Sequence, residues 1–234
     1  MTTRAWLTRL IEALVKIGVP AIPATLPLLD FREDLDGADE AQTWGTGAAI
    51  LSAMGKPAVP ALINAAKDPM KFWGATMALR DIGPEAADAV PILLELAREP
   101  KNRSRVVFTL AGIAPTAPDA VAFLVDVVRN GSGLDREYAI DALGKIGPAA
   151  APAVPVLREH LRALWAKPEV LGQPGWNYYQ VIEAVGNIGP AAKDAVPELQ
   201  QALKHPYKYI RDAAATALQK IQGGFELEPP GGTP

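Results

Sequence analysis

Asn187-Ile188-Gly189-Pro190-Ala191-Ala192-Lys193-Asp194-Ala195-Val196-Pro197-Glu198-Leu199 decides the reading of this chain, because the pattern returns. It stands again as Lys145-Ile146-Gly147-Pro148 leading to Ala153-Val154-Pro155-Val156-Leu157, and as Asp81-Ile82-Gly83-Pro84 leading to Ala89-Val90-Pro91-Ile92-Leu93. A weaker copy runs from Gly112-Ile113-Ala114-Pro115 to Leu124, and a shortened one is Met54-Gly55-Lys56-Pro57-Ala58-Val59-Pro60-Ala61-Leu62. Such self-similarity marks a repeat architecture, in which each unit packs only on its neighbours.

Working outward, the anchors Ile17, Met54, Ile82, Ile113, Ile146, Ile188 and Ile221 each follow an apolar residue three positions earlier: Leu14, Leu51, Leu79, Leu110, Leu143, Val185 and Leu218. The i, i+3 spacing places both on one face of a first helix. Gly18, Gly55, Gly83, Gly147 and Gly189 fall where a residue of positive φ ends it, and the following prolines forbid continuation. A second helix follows. Asp88, Asp119 and Asp194 are placed to cap its N-terminus, and Pro91, Pro155 and Pro197 occupy its first turn, where no intrahelical N–H is lost. Its apolar face reads Val90, Leu93, Leu94, Ala97, with Val121, Leu124, Val125, Val128 and Val59, Leu62, Ile63, Ala66 in register. One such hairpin cannot bury enough surface alone; stacked hairpins share a continuous core.

The 234 residues are 49% hydrophobic but only 6% aromatic, which suits closely packed helices of Ala, Leu, Val and Ile. A net charge of −3 gives no electrostatic bias toward nucleic acid or a membrane surface. The absence of cysteine excludes disulfides and thiolate metal sites. Glu12 and Lys16 interrupt the apolar stretch after Arg4 and Arg9, so the N-terminus reads as an amphipathic helix rather than a secretory signal. No apolar run approaches the ~18 residues of a membrane span. The expectation is a cytoplasmic protein, monomeric or a segment of a larger repeat array.

Anchor spacings run from 28 to 42 residues. Ankyrin and tetratricopeptide arrays have similar periods, but neither signature is present. Ala213-Ala214-Ala215-Thr216-Ala217-Leu218, and Ile182 to Gly189 followed by Ala-Val-Pro-x-Leu, resemble the short HEAT repeats of phycobilisome-lyase-like bacterial proteins, over roughly residues 5 to 222. The expected fold is all-α: a right-handed α-solenoid of about six and a half helical hairpins over residues 1–222. A Gly/Pro-rich tail, residues 223–234, reads as disordered. Pro20, Pro23 and Pro27 predict a short or late second helix in the first hairpin. Two long connections, Asp30 to Thr43 and Leu164 to Asn177, are expected on one edge, where insertions either mark a binding surface or reflect drift in tolerant loops.

Lys67, Arg98, Arg129, Arg162 and Lys204 form a basic column eight residues after each second-helix valine, with Asn64, Glu95, Asp126, Glu159 and Gln201 three residues before them. Either these cations complement helix dipoles and form solvated i, i+3 pairs, or they make a ladder that receives an acidic or mixed-charge segment of a partner. Aromatic residues gather near first-helix starts: Trp6, Trp44, Phe72, Trp73, Tyr138, Tyr178 and Tyr179 read as packing, whereas Trp165 and Trp176, in the long connection, read as interface residues. His160 and His205 read as surface or capping histidines, because neither belongs to a His-x-x-x-His or His-Glu pair. Gly45-Thr46-Gly47 and Gly131-Ser132-Gly133 lack the preceding strand and the lysine of a phosphate loop, and read as turn or helix-start glycines.

No catalytic, cofactor or metal site emerges. The expectation is a non-enzymatic scaffold or adaptor that holds another protein or a peptide through Lys67, Arg98, Arg129, Arg162, Lys204, Glu95, Asp126, Trp165 and Trp176. The alternative, implied only by the resemblance, is a bilin-chromophore lyase or a subunit of one.

Overall fold

A computed structural model describes residues 3–30, 40–114, 116–166 and 176–223. The described residues are helical or turn, with no strand among them. Calls on the tail beyond Gly223, and on the middle of both long connections, lie outside them.

The chain divides into two compact units, Met1–Pro115 and Thr116–Pro234. The first contains α1 (Thr3–Ile17), α2 (Ile22–Thr25), α3 (Glu40–Met54), α4 (Val59–Ala65), α5 (Phe72–Ile82), α6 (Val90–Leu96) and α7 (Pro100–Ile113). Within it α1, α3, α5 and α7 pack one on the next, while α4 and α6 each dock against the first helix of the following hairpin. The second contains α8 (Pro118–Asn130), α9 (Gly133–Ile146), α10 (Val154–Ala166), α11 (Trp176–Ile188), α12 (Val196–Ala202) and α13 (Lys208–Ile221). Here α9, α11 and α13 pack in succession, and α8, α10 and α12 dock on α9, α11 and α13. Consecutive hairpins therefore stack within each unit, as the repeated pattern predicts.

The core columns come out as read. Val59, Leu62, Val90, Leu93, Val121 and Leu124 are buried, while the third column, Ile63, Leu94 and Val125, is half-buried. Proline tolerance has the expected cause: Pro60, Pro91, Pro155 and Pro197 sit at the start of α4, α6, α10 and α12, where amides have no intrahelical partner. The first hairpin has the short second helix its prolines predict, only four residues at α2 with 3₁₀ turns on either side.

Three expectations are corrected. Asp88 and Asp194 do not cap the second helices. The segments Gly83–Ala89 and Gly189–Ala195 are themselves 3₁₀ helices, so the residue before α6 is Ala89 and before α12 Ala195, neither making a side-chain cap. The incoming amide is already satisfied by a carbonyl of that turn, Val90 N–H donating to Ala87 O. Asp119 lies inside the first turn of α8, behind Ala117 and Pro118. Finally, α3 begins at Glu40, so Gly45 and Gly47 are interior helix residues rather than turn or helix-start glycines, whereas Gly133 does open its helix, α9. A Cβ on Gly47 would stand 2.5 Å from Leu28 O, so its small size lets α3 approach the preceding hairpin.

Five first helices end on a glycine of positive φ, Gly18, Gly55, Gly83, Gly147 and Gly189, at 73° for Gly83 and 72° for Gly189. Ala114 replaces it after α7 and still adopts the left-handed conformation, at φ 45° and ψ 57°. A Cβ is costly there, so Ala114→Gly is expected to raise stability by about 1 kcal/mol, read as a higher urea midpoint at unchanged m-value.

Candidate functional site

The basic column is real as a position. Lys67, Arg98 and Lys204 follow the last turns of α4, α6 and α12, where a 3₁₀-type bond closes the helix: Lys67 N–H to Asn64 O at 3.2 Å, Arg98 N–H to Glu95 O at 3.1 Å, Lys204 N–H to Gln201 O at 3.0 Å. Arg129 and Arg162 lie in the C-terminal parts of α8 and α10. All five are exposed. Each cation therefore sits near a helix C-terminus, where the dipole favours it.

The expected i, i+3 side-chain pairs are not what the structure makes. Among the described residues Glu95 and Arg98 are joined through the backbone, not by an ion pair. Asp126 accepts from Asn130 Nδ2 at 2.7 Å. Arg162 turns from Glu159 to Glu198 of the next hairpin, with Nη2 at 2.5 Å and Nε at 2.7 Å from Oε1. Arg158 completes a fork on the same carboxylate, Nε to Oε2 at 3.1 Å and Nη2 to Oε1 at 3.2 Å. Glu198 is only 4% exposed. Burial opposes its ionisation, but hydrogen bonds from Arg158 and Arg162 override that and hold its carboxyl below the ordinary 4.5. Arg162 thus belongs to an internal clasp between α10 and α12, and Lys67, Arg98, Arg129 and Lys204 remain as the surface column.

Trp165 is not an isolated interface residue. It is half-buried against Tyr178 and His205, at ring-centroid distances of 5.0 and 5.4 Å. His205 also meets Tyr178 and Tyr207, each at 5.4 Å. Tyr178 O–H donates to Leu164 O at 2.5 Å. Of the surface or capping roles expected for His205, the first does not hold, since it is buried, and its Nδ1 accepts the amide of Tyr207, the residue before α13, at 3.2 Å. That bond places the neutral ring's proton on Nε2; burial, then Arg211, pushes its pKa below 6.5. His160 is half-buried and likewise lowered, by burial and then Arg136. The side chain of Trp176 lies outside the described residues, as do those of Trp6 and Trp44.

Periodicity gave no sign of Arg105. It is 8% exposed, its Nε donates to Thr76 Oγ1 and its Nη2 to Trp73 O, both at 2.9 Å, and its guanidinium lies 3.7 Å from the Trp73 ring centroid. Burial and neighbouring Arg80 lower its pKa to about 10. It ties α7 to α5 through π contact and neutral acceptors.

A recess lies elsewhere, a groove of about 310 Å³ between α11 and α13. Tyr179, Glu183 and Gly186 face it from α11, and Tyr209, Asp212, Ala213, Thr216, Ala217 and Lys220 from α13. The spacings are i, i+4, i+7 on one helix and i, i+3, i+4, i+7, i+8, i+11 on the other, one face of each. Its floor is low because a Cβ on Gly186 would come within 2.8 Å of both Ala217 Cα and Cβ. A smaller groove of about 160 Å³ lies between α9 and α11, floored by Gly144 against Ala184. Among the described residues no group of three His, Asp or Glu could hold a metal ion, and no single helix is long and apolar enough to cross a membrane.

Residues 135–163, which are α9, the Gly147–Ala153 turn and most of α10, match the family model described as PBS lyase HEAT-like repeat. No curated protein matches the chain. Among solved structures, a crystal structure of an engineered protein is 22% identical, covering 92% of this chain and 97% of its own, with a TM-score of 0.55. Another engineered protein is 19% identical over 91% of this chain and 74% of its own, at a TM-score of 0.41. The first similarity extends over nearly the whole chain and concerns the fold alone. One hairpin of the chain, residues 135–163, is thus similar to a HEAT-like repeat, and the described residues of both units are built of successive helical hairpins.

Proposed function

We propose that this chain is a non-enzymatic binding scaffold that receives an acidic segment of a partner protein along the ends of its second helices. One observation carries the reading: Lys67 and Arg98 in the first unit, and Arg129 and Lys204 in the second, present an exposed cation at one repeated place in the hairpin. Within each unit, like charge repeated at the same place in the hairpin favours an extended partner of opposite charge over a small molecule, and steers its approach. Glu95 and Asp126 stand beside the column as the selective element, repelling a segment whose acids fall out of register.

The test replaces Lys67, Arg98, Arg129 and Lys204 by Glu and leaves Arg162 in place, because Arg162 holds Glu198. Affinity capture from the source lysate should lose its partner by at least about tenfold in the variant, with helicity unchanged by circular dichroism. Equal capture by both chains would move recognition off the column. The name of the matched family model brings in the alternative, a bilin lyase; a free bilin would then change its absorbance on mixing with the chain, whereas the scaffold leaves the spectrum as it is.

A further inference from the structure

We infer that the groove between α11 and α13 is a second recognition site, which takes an arginine side chain of an extended peptide. The groove is open, its floor is set by Gly186 and Ala217, and tyrosines stand on both walls, Tyr179 on α11 and Tyr209 on α13. Tyr209 is 40% exposed and stacked on Tyr207 at 5.8 Å, which braces one ring face and leaves the side chain at the surface. Such rings suit a planar cation.

Charge selects the occupant. Three side chains of the groove are charged: Glu183, Asp212 and Lys220. Lys220 is drawn to the far end, its Nζ donating to Asn187 Oδ1 at 2.8 Å. Asp212 is paired with Lys208 at 2.7 Å, on the exposed side of α13. On the neighbouring α9, Asp141 is paired with Lys145 at 2.8 Å. Glu183 has no ion pair among the described residues, although it is exposed and lies beside both grooves. Glu183 is thus a water-solvated carboxylate without an ion-pair partner among the described residues, at a groove with a tyrosine on each wall. A guanidinium satisfies both, since it offers a fork of donors to the carboxylate and a flat face to the rings. An anionic segment would be repelled by Glu183, and an apolar one would leave its charge unanswered.

The experiment titrates the intact chain with a Gly/Ser peptide carrying two arginines, and separately with the same peptide carrying citrulline, following backbone amide signals by NMR at low ionic strength. Arginine peptide should shift Tyr179, Glu183, Tyr209 and Asp212 saturably, and bind about fivefold or more tightly than the citrulline peptide. Glu183→Gln should abolish that preference, and Tyr209→Ala should weaken the arginine peptide while the fold is retained. Equal affinity for both peptides, shifts confined to other residues, or an undiminished preference in Glu183→Gln would overturn the assignment. So would groove shifts that grow with protein concentration in the absence of peptide, which would make the occupant a second copy. The four-fold charge reversal at Lys67, Arg98, Arg129 and Lys204 should leave this binding intact, so failure of one site is distinguishable from failure of the other.

Discussion

Gly186→Leu is expected to cost about 3 kcal/mol or more, because a side chain there meets backbone rather than a flexible neighbour. The first added carbon alone would lie 2.8 Å from Ala217 Cα and Cβ. Neither helix can yield alone: α11 is wedged between α9 and α13, and its Val181, Ile182, Val185 and Ile188 are fully buried. Gly186→Ala should cost less, since the better helix propensity of alanine, about 1 kcal/mol, offsets part of the overlap. Urea denaturation of the second unit reads both, with the midpoint falling further for Leu than for Ala. Equal midpoints for Gly186→Leu and the parent chain would mean that α11 and α13 are not in contact at this residue. The same substitution fills the floor of the groove, so peptide binding and stability should fall together.

Glu198→Gln is the second large effect, expected to cost about 2 kcal/mol. It leaves a buried amide whose donor nitrogen faces Arg158 and Arg162. The loss stays below that of a fully buried ion pair because Arg158 and Arg162 are 25% and 57% exposed, so water screens part of the charge they are left with. The pH dependence separates the carboxylate from mere shape. Its folded pKa is below the ordinary 4.5, so the native state binds fewer protons than the unfolded chain in that range. The clasp's contribution is therefore fully present above about pH 4.5 and is lost as pH falls through the depressed folded value. Stability measured from neutral pH into that range should fall more steeply in the parent than in Glu198→Gln. Parallel curves would assign the mutational loss to packing.

The hairpins, their cores and their turns were legible because they rest on local chemistry repeated several times. An apolar i, i+3 pair, a positive-φ glycine and a first-turn proline each say the same thing in every copy, and the structure agrees at Leu79, Ile82, Gly83 and Pro91 alike. The aspartate caps failed because the connecting segment is short and proline-led. It winds into a 3₁₀ turn and supplies carbonyls where the caps were expected. Glu198 was visible in retrospect: it occupies a column that reads Ala61, Ile92 and Val156 in other hairpins, while Arg158 stands where others have Ile63, Leu94 and Val125. Two charges replacing two apolar residues in adjacent repeats are a pair signal, and comparing columns between neighbours would find it. The α11–α13 groove was not legible, because Tyr179, Glu183 and Tyr209 share a face only once the offset between two helices is known. Arg105 was hidden for the opposite reason, since its column reads Arg9, Thr46, Gly74, Arg105, Tyr138, Gln180 and Ala213 and has no common chemistry to depart from.

Five of the side-chain bonds that tie one hairpin to the next join residues 29 to 40 positions apart, from Arg105–Thr76 to Arg158–Glu198. That distance is about one repeat. Contact order within each unit is accordingly low, and such topologies fold fast, because little loop entropy is lost before contacts form. Within each unit, a first helix leaving the ribosome meets its docking surface in the hairpin made just before it, and a second helix waits only for the first helix of the next hairpin. Glu198 closes on Arg158 and Arg162 as soon as the start of α12 is out. Order of emergence and order of assembly can therefore coincide, which limits the time that any apolar face spends uncovered.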